Sequence, residues 1–358
     1  MIALHHNIII AFMLSFFISV FVTNVIIKYS VKSGIGDNPS EKRKIHKRRM
    51  PNTGGLAVFI GSIVAYFSFS DYHDAVRPDK LFSIGTLIFF MGFKDDLEPM
   101  LPKVRLIVEF LCAFFIIYIT DIRLETLWGI FTITDLPLWA SYILSALFIV
   151  TCINAYNLID GIDGLLGSLS LFAVFLFSLI FNAKGEWLWT LLCISLGGAL
   201  IGFLVFNWHK ARIFMGNGGA LFLGTVLACI ALHTMQNKEI LHVGELTITM
   251  PHTMAFAIIA IPLVDLVSVF TWRIAHEHSP FAADNSHIHH RLLNLGMNHN
   301  QACITIIAMN VLIVIFAYLV QSTGALKSLL YTIGFAFLLE LLLIIVGTRF
   351  AKKKEIED

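Results

Sequence analysis

Charge is scarce in this sequence. Asp, Glu, Lys and Arg make up 14% of the 358 residues, where a soluble domain carries roughly 25%. Hydrophobic residues make up 57% and mean hydropathy is +0.80, a balance that excludes a water-soluble globule. Gaps between apolar runs do not exceed about 30 residues, so no soluble domain is expected and residues 1–358 read as one integral membrane domain. The five cysteines stand singly inside apolar runs. With no CxxC and no Cys/His spacing, neither a zinc ribbon nor a disulfide framework is expected. No HExxH pair is present, which removes the pattern of a zinc hydrolase. The first apolar run lacks a basic leader and a small-residue cleavage site, so no cleavable signal peptide is expected. The net charge of +1 says nothing about partners, and no nucleic-acid partner is expected.

What is abundant is apolar sequence in lengths of about 20 residues, enough to cross ~30 Å of hydrocarbon. Eleven runs are predicted as spans, at roughly 7–27, 54–70, 81–93, 104–121, 138–156, 165–182, 187–206, 218–236, 251–271, 302–320 and 327–347. The fold class predicted is all-α, a polytopic membrane protein of about eleven transmembrane helices. Cytoplasmic loops collect Lys and Arg. In this layout six of the 25, namely Arg77, Lys80, Arg123, Lys184, Lys238 and Lys327, fall on one side and the remaining 19 on the other. The richer side is cytoplasmic by that rule, placing the N-terminus in the periplasm and the C-terminal AKKKEIED in the cytoplasm.

The polar clusters then gather at the cytoplasmic face. GFKDDLEPMLPKVR closes the third run. Its adjacent Asp95 and Asp96, followed by Lys103 and Arg105, suit a divalent cation or a proton acceptor, and equally a solvated helix end. NAYNLIDGIDG follows the fifth run. Asn157 and Asp160 share a face at i,i+3, with Asn154 one turn earlier, if the helix continues through them; Asp163 follows. Acids in a span are costly and usually face a cavity or ion; an interhelical hydrogen-bond cluster is the plainer alternative.

FMGNGGALFLG, Phe214 to Gly224, is a glycine-rich turn entering a helix, where free N–H groups and a positive dipole end suit a phosphate. SPFAADNSHIHHRLL sets His287, His289 and His290 within four residues, followed by Arg291. Three histidines suit zinc, but only Asp284 is near to complete a set, and histidines with an arginine suit an anionic diphosphate as well. The loop from Asp37 to Gly55 carries a basic run ending in Arg48 and Arg49. Positive-inside topology explains it, as does capture of a phosphorylated lipid head.

In this order PNTGG, DD with a following PKVR, NAYNLIDGIDGL, FMGNGGALFLG and SPFAADNSHIHH resemble the polyprenyl-phosphate N-acetylhexosamine-1-phosphate transferase family (glycosyltransferase family 4) over nearly the whole chain. NxxNxxDGxDGL is the most specific piece. IPLVDLVSV before SPFxxDxxHIHH is similar to the WecA-type branch, which uses UDP-N-acetylglucosamine and undecaprenyl phosphate. The peptidoglycan branch carries three consecutive histidines, a run that Ile288 interrupts here. The resemblance implies transfer of a sugar-1-phosphate from a UDP-N-acetylhexosamine to undecaprenyl phosphate, with release of UMP. It also implies a role in starting O-antigen or another surface polysaccharide, in the bacterial cytoplasmic membrane with the active site facing the cytoplasm. Mg²⁺ is the implied cofactor, Mn²⁺ an alternative, and a homodimer is the usual state of structurally known relatives.

The resemblance implies residue roles too. Asn157 would be a metal ligand, and Asp160 and Asp163 would serve the metal and nucleotide. Asp95 or Asp96 would deprotonate or orient the lipid phosphate. His287, His289, His290 and Arg291 would hold the donor diphosphate, with Arg49, Lys103, Arg105 and Asn154 as further substrate-binding groups. One motif departs from the pattern. The family turn reads GDxGS, its Asp a principal Mg²⁺ ligand, whereas Gly216-Asn217-Gly218-Gly219-Ala220 stands here. An amide oxygen ligates Mg²⁺ without bringing charge, so Asn217 is expected to bind the metal weakly. A catalytically weak or inactive family member is the rival reading. A membrane transporter is the other rival; it predicts acids along the depth of several spans, whereas only Glu109 and Asp265 stand apart from the inner face here.

Overall fold

A computed structural model gives the architecture and describes residues 2–33, 50–70, 77–129, 133–208, 210–237, 239–277 and 286–357. The helices are α1 (Ile2–Ser33), α2 (Gly55–Phe69), α3 (Asp79–Leu97), α4 (Pro102–Thr120), α5 (Leu138–Ile159), α6 (Leu165–Lys184), α7 (Trp187–Asn207), α8 (Gly216–Gln236), α9 (Pro251–Ile258), α10 (Ala260–Ala275), α11 (Ile288–Asn294), α12 (His299–Val320) and α13 (Ala325–Glu357). A two-stranded antiparallel hairpin, β1 (Leu241–Val243) and β2 (Leu246–Ile248), pairs Leu241 with Ile248. The fold is all-α, and each of the eleven apolar runs lies in a helix or, for 251–271, in the pair α9–α10.

By length and composition, fewer helices than eleven qualify as spans. Among the described residues, seven helices (α1, α5, α6, α7, α8, α12 and α13) are long and apolar enough to cross a membrane, and the bent pair α9–α10, taken as one span, brings the number to eight. The difference from eleven has a physical cause. Helix α2 has 15 residues. Helices α3 and α4 reach 19, but α3 ends in Lys94, Asp95 and Asp96 and α4 begins with Lys103, Arg105 and Glu109. The helices that depart from a uniformly apolar span are those that carry charge into the site.

Helix α8 is the axis of the bundle. Its apolar window is 100% buried, and α3, α5, α2 and α9 pack around it. Helices α1 and α7 approach closely through small residues, as membrane helices do where backbone contact replaces a hydrophobic driving force. Ser19 Oγ donates to Ala199 O at 2.7 Å, and a Cβ on Gly198 would stand 2.4 Å from Phe12 O.

The PNTGG segment docks on the glycine-rich turn by backbone pairing. Phe214 N donates to Pro51 O at 2.9 Å, Gly54 N to Phe214 O at 2.9 Å, and Gly55 N to Met215 O at 2.8 Å. The N-termini of α2 and α8 thereby lie side by side, with a Cβ on Gly55 only 2.3 Å from Gly219 Cα.

The bend between α9 and α10 is 71°. Pro262 has no N–H to give the carbonyl of Ile258, four residues back. Asn310 of α12 repairs the break, its Nδ2 donating to Ile258 O at 2.9 Å and its Oδ1 accepting from Ile261 N at 3.3 Å. In an apolar interior such freed backbone groups need an internal partner.

The contact at Gly55 predicts a contrast between two glycines. Gly55→Ala forces backbone apart and should cost about 1–3 kcal/mol, the range for overpacking. Gly334→Ala, in α13 with nothing within 4 Å of the added Cβ, should be neutral or stabilising by up to ~1 kcal/mol. Thermal unfolding of the two variants in detergent checks this.

Candidate active site

The C-terminal ends of α3 and α5 and the N-terminal ends of α4 and α8 are joined by one buried polar network. Its hub is Arg105. Its guanidinium lies 3.5 Å from Asp95 Oδ2 on α3 and 3.3 Å from Glu109 Oε1 on α4, and donates to Asn154 Oδ1 on α5 at 3.3 Å. Asn154 Nδ2 returns a hydrogen bond to Glu109 Oε2 at 2.6 Å. Glu109 is fully buried, so its charge needs these partners.

The second node is the start of α8. Asn217 N and Gly218 N donate to Asp96 at 2.9 and 3.1 Å, and Asn217 Nδ2 donates to Asp95 Oδ2 at 3.0 Å. The N–H groups that the glycine-rich turn was expected to offer a phosphate are thus taken by a carboxylate of α3, a favourable partner for the positive helix end. Gly216 permits this approach, with φ +76° and its Cβ position 2.8 Å from Asp96 Oδ2. Asp95 Oδ1 also accepts from Met100 N at 2.6 Å.

Helix α5 stops at Ile159, one residue short of Asp160, and α6 starts after Gly164, whose φ is +78°. The intervening turn is pinned from several sides. Gly164 N donates to Asn207 Oδ1 at 2.9 Å. Asp163 Oδ2 accepts from Ala211 N at 3.1 Å and lies 3.3 Å from His299 Nδ1. Burial, and then the charges of Asp96 and Asp163, push the Asp160 carboxyl up to about 7.

Helix α11 lies across this turn. His289 is 1% exposed, and its Nε2 stands 2.0 Å from where a Gly161 Cβ would be; any side chain there displaces the ring. Burial, then His290, His287 and His299, hold the His289 imidazole well below the usual histidine range, so it is neutral at pH 7. His287 Nδ1 lies 2.8 Å from Asp265 Oδ2, and Ile288 N donates to Asp265 Oδ1 at 2.8 Å.

Between α4, α5, α10 and α11 lies a cavity of about 630 Å³, within the range of ligand pockets. Leu106, Phe110, Leu147, Val150, Leu266 and Phe270 form an apolar wall, and Arg105, Asn154, Asn157, Arg273, His287, His289 and His290 supply the polar groups. The bend at Ile259 is what turns α10 so that it contributes Leu266, Phe270 and Arg273.

The structure therefore brings together much of what the sequence singled out, with changes. Arg105, Asn154, Asn157, His287, His289 and His290 share the cavity. Asp95 and Asp96 are not on its wall; they serve as acceptors for Arg105 and α8. Arg291 turns away to Glu340 of α13, 3.3 Å distant. Lys103 is exposed, off the cavity wall. Arg49 and Asp284 lie outside the described residues. Among the described residues no group of three or more His, Cys, Asp or Glu is placed to hold a metal by itself. Arg273 and His299 were not singled out, and no motif spacing marks them. Glu109 and Asp265 carried a signal, as acids inside apolar runs.

Asp160 generates a pH prediction. Its ordinary value is 3.8, and the fold keeps its proton to about 7. Between those values the folded chain binds the extra proton, so stability in chelator should fall as pH rises through that window. Melting curves across it should show a declining Tm in the parent and a flatter one in Asp160→Asn. Identical slopes would remove Asp160 as the titrating group.

Residues 80–235 match glycosyl transferase family 4. A Bacillus subtilis (strain 168) protein named "Probable undecaprenyl-phosphate N-acetylglucosaminyl 1-phosphate transferase" is 31% identical over 317 residues, 88% of this chain and 86% of that protein. Proteins named undecaprenyl-phosphate alpha-N-acetylglucosaminyl 1-phosphate transferase are similar too. The one from Salmonella typhi is 31% identical over 284 residues, 78% of this chain and 74% of its own length. The one from Escherichia coli (strain K12) is 30% identical over 304 residues, 84% and 78% respectively. Similarity of that extent, on a multi-pass helical membrane protein with this cavity, makes the chain a member of glycosyl transferase family 4, a family of sugar-phosphate transferases.

Proposed function

We propose that the protein transfers N-acetylhexosamine-1-phosphate, N-acetylglucosamine-1-phosphate first among these, from a UDP-sugar to undecaprenyl phosphate. An oxygen of the lipid phosphate attacks the sugar-bearing phosphorus, the anhydride bond to UMP breaks, and UMP leaves with the electron pair. One anhydride replaces another, so the barrier is repulsion between anions, and catalysis is positioning and charge neutralisation. The observation that carries this reading is the two-character cavity. An apolar wall suits a polyprenyl tail, and the cations and imidazoles in the same space suit the phosphates of both substrates.

Within it, Arg105 and Arg273 supply fixed positive charge, and neutral His289, with His290, supplies N–H donors. His287 and Arg291, engaged with Asp265 and Glu340, hold α11 in place. Asp95 and Asp96, saturated by N–H donors, suit positioning rather than proton transfer. Asp160, titrating near 7, suits a proton acceptor or a cation ligand. Asn157, Asp160 and Asn217 offer hard oxygens of the kind Mg²⁺ or Mn²⁺ takes. Burial raises Asp160 most, and the repulsion from Asp96 and Asp163 that adds to it is what a divalent cation relieves. An incomplete protein ligand set suits Mg²⁺, which keeps waters and takes phosphate oxygens. Bound there, the ion would lower the repulsion between attacking and leaving groups.

The Lys and Arg distribution supports eleven crossings in one domain, with α2, α3 and α4 spanning as well. It supports a periplasmic N-terminus, a cytoplasmic C-terminus and a site facing the cytoplasm of the bacterial inner membrane. We read the product as the start of O-antigen or another surface polysaccharide, and the acting unit as a homodimer.

The test is a transferase assay on membranes with labelled UDP-N-acetylglucosamine, undecaprenyl phosphate and graded Mg²⁺. UMP and a lipid-linked sugar are expected, with less product from other UDP-N-acetylhexosamines. Asn217→Asp should lower half-saturating Mg²⁺ about tenfold, because it adds a charge at the cation; coincident curves would remove Asn217 as a ligand. No product from any UDP-N-acetylhexosamine contradicts the reading, and product from Asn217→Asp alone marks the parent as an inactive relative.

A further inference from the structure

Helix α13 carries one acid deep in its apolar run. Glu340 is 3% exposed, and an ionisable group at such a position is costly unless paired. Its two oxygens have separate partners. Arg291 NH1 donates to Oε1 at 3.3 Å, and Ser268 Oγ of α10 donates to Oε2. Arg291 belongs to α11, the seven-residue helix that carries His289 and His290. That helix is too short to hold itself. At its N-terminal end Asp265 accepts from Ile288 N and meets His287 Nδ1, both at 2.8 Å. At its other end the grip is Arg291 on Glu340. His289 lies between the two clamps, its ring against the backbone of Gly161.

We propose that Glu340 is a positioning residue for His289. It acts through Arg291, anchoring the far end of α11 to α13 and α10 so that the imidazole stays seated over Gly161 at the polar end of the cavity. The partners of the Glu340 carboxylate stand on α10 and α11, as Ser268 and Arg291. An apolar pair in place of both Glu340 and Arg291 would be neutral or stabilising in a purely structural role, so the ion pair serves the register of the helix that it grips. The value of that register to catalysis rests on the proposed transferase reading, but the anchoring does not.

The test uses the full chain in detergent and diethyl pyrocarbonate, which modifies accessible neutral imidazoles, with each histidine followed by mass spectrometry. In the parent, His289 should be modified slowly. In Glu340→Ala its modification should rise about tenfold, as local opening relieves protection without global unfolding. Glu340→Gln keeps an acceptor for Arg291 but loses the charge, and should show a smaller rise. His233, buried on α8 beside Glu186 and Trp189, should stay protected in both. Unchanged protection of His289 in both variants overturns the proposal, and so does His233 opening in step with it, which marks a general loss of stability. In the transferase assay Glu340→Ala should raise KM for the UDP-sugar more than it lowers kcat. An inactive parent would defeat the functional reading while the labelling result still decides the role of Glu340.

Discussion

The contact on which the site depends is the guanidinium of Arg105 held between Asp95, Glu109 and Asn154. Those acceptors come from three helices, so one side chain fixes the relative placement of the ends of α3 and α5 and the start of α4. A planar cation with five donors in a fixed fork can do this where a lysine cannot. The same arginine lines the cavity. Its charge is therefore both structural and available at one edge. Removing any partner would leave a buried charge uncompensated, which is why the cluster holds together as a unit.

Around that hub the helices are interrupted where the chemistry needs backbone or polar groups at membrane depth. The break at Ile259 is closed by Asn310 and turns α10 to form one wall. The turn after Ile159 is closed by Asn207, Ala211 and His299 and exposes Gly161 beneath His289. The start of α8 is closed by Asp96. Each interruption is satisfied internally, as an apolar surrounding demands. The result is an apolar groove with a polar end, the shape expected of a protein that joins a lipid phosphate to a water-borne diphosphate.

Much of this was legible in the sequence, because helix periodicity and apolar length are local properties. The eleven runs are helical, and Asn154 and Asn157 share a cavity, whereas Asp160, expected on the same helix face, lies past the end of α5 and off the cavity wall. What was not legible is which partner each charged group chooses. Asp96 meets Asn217 and Gly218 more than a hundred positions away in the chain; Asp163 meets His299, and Arg291 meets Glu340. Such pairings follow from how helices pack, and one sequence does not encode them in any spacing. By length and composition alone fewer than eleven helices qualify as spans, for a related reason. Charges on α3 and α4 make those helices poor spans by composition, and only the folded network shows that the same charges are paired with one another.

The central claim is that the groove between α4, α5 and α10 receives a polyprenyl phosphate, tail along the wall and phosphate at Arg105. A photoreactive polyprenyl phosphate cross-linked to the protein and mapped by mass spectrometry tests it most directly. The account predicts labels on Phe110, Leu147 and Phe270, suppressed by undecaprenyl phosphate and not by the uncharged alcohol. Labels spread over the outward faces of α1 and α13, indifferent to either competitor, would contradict it.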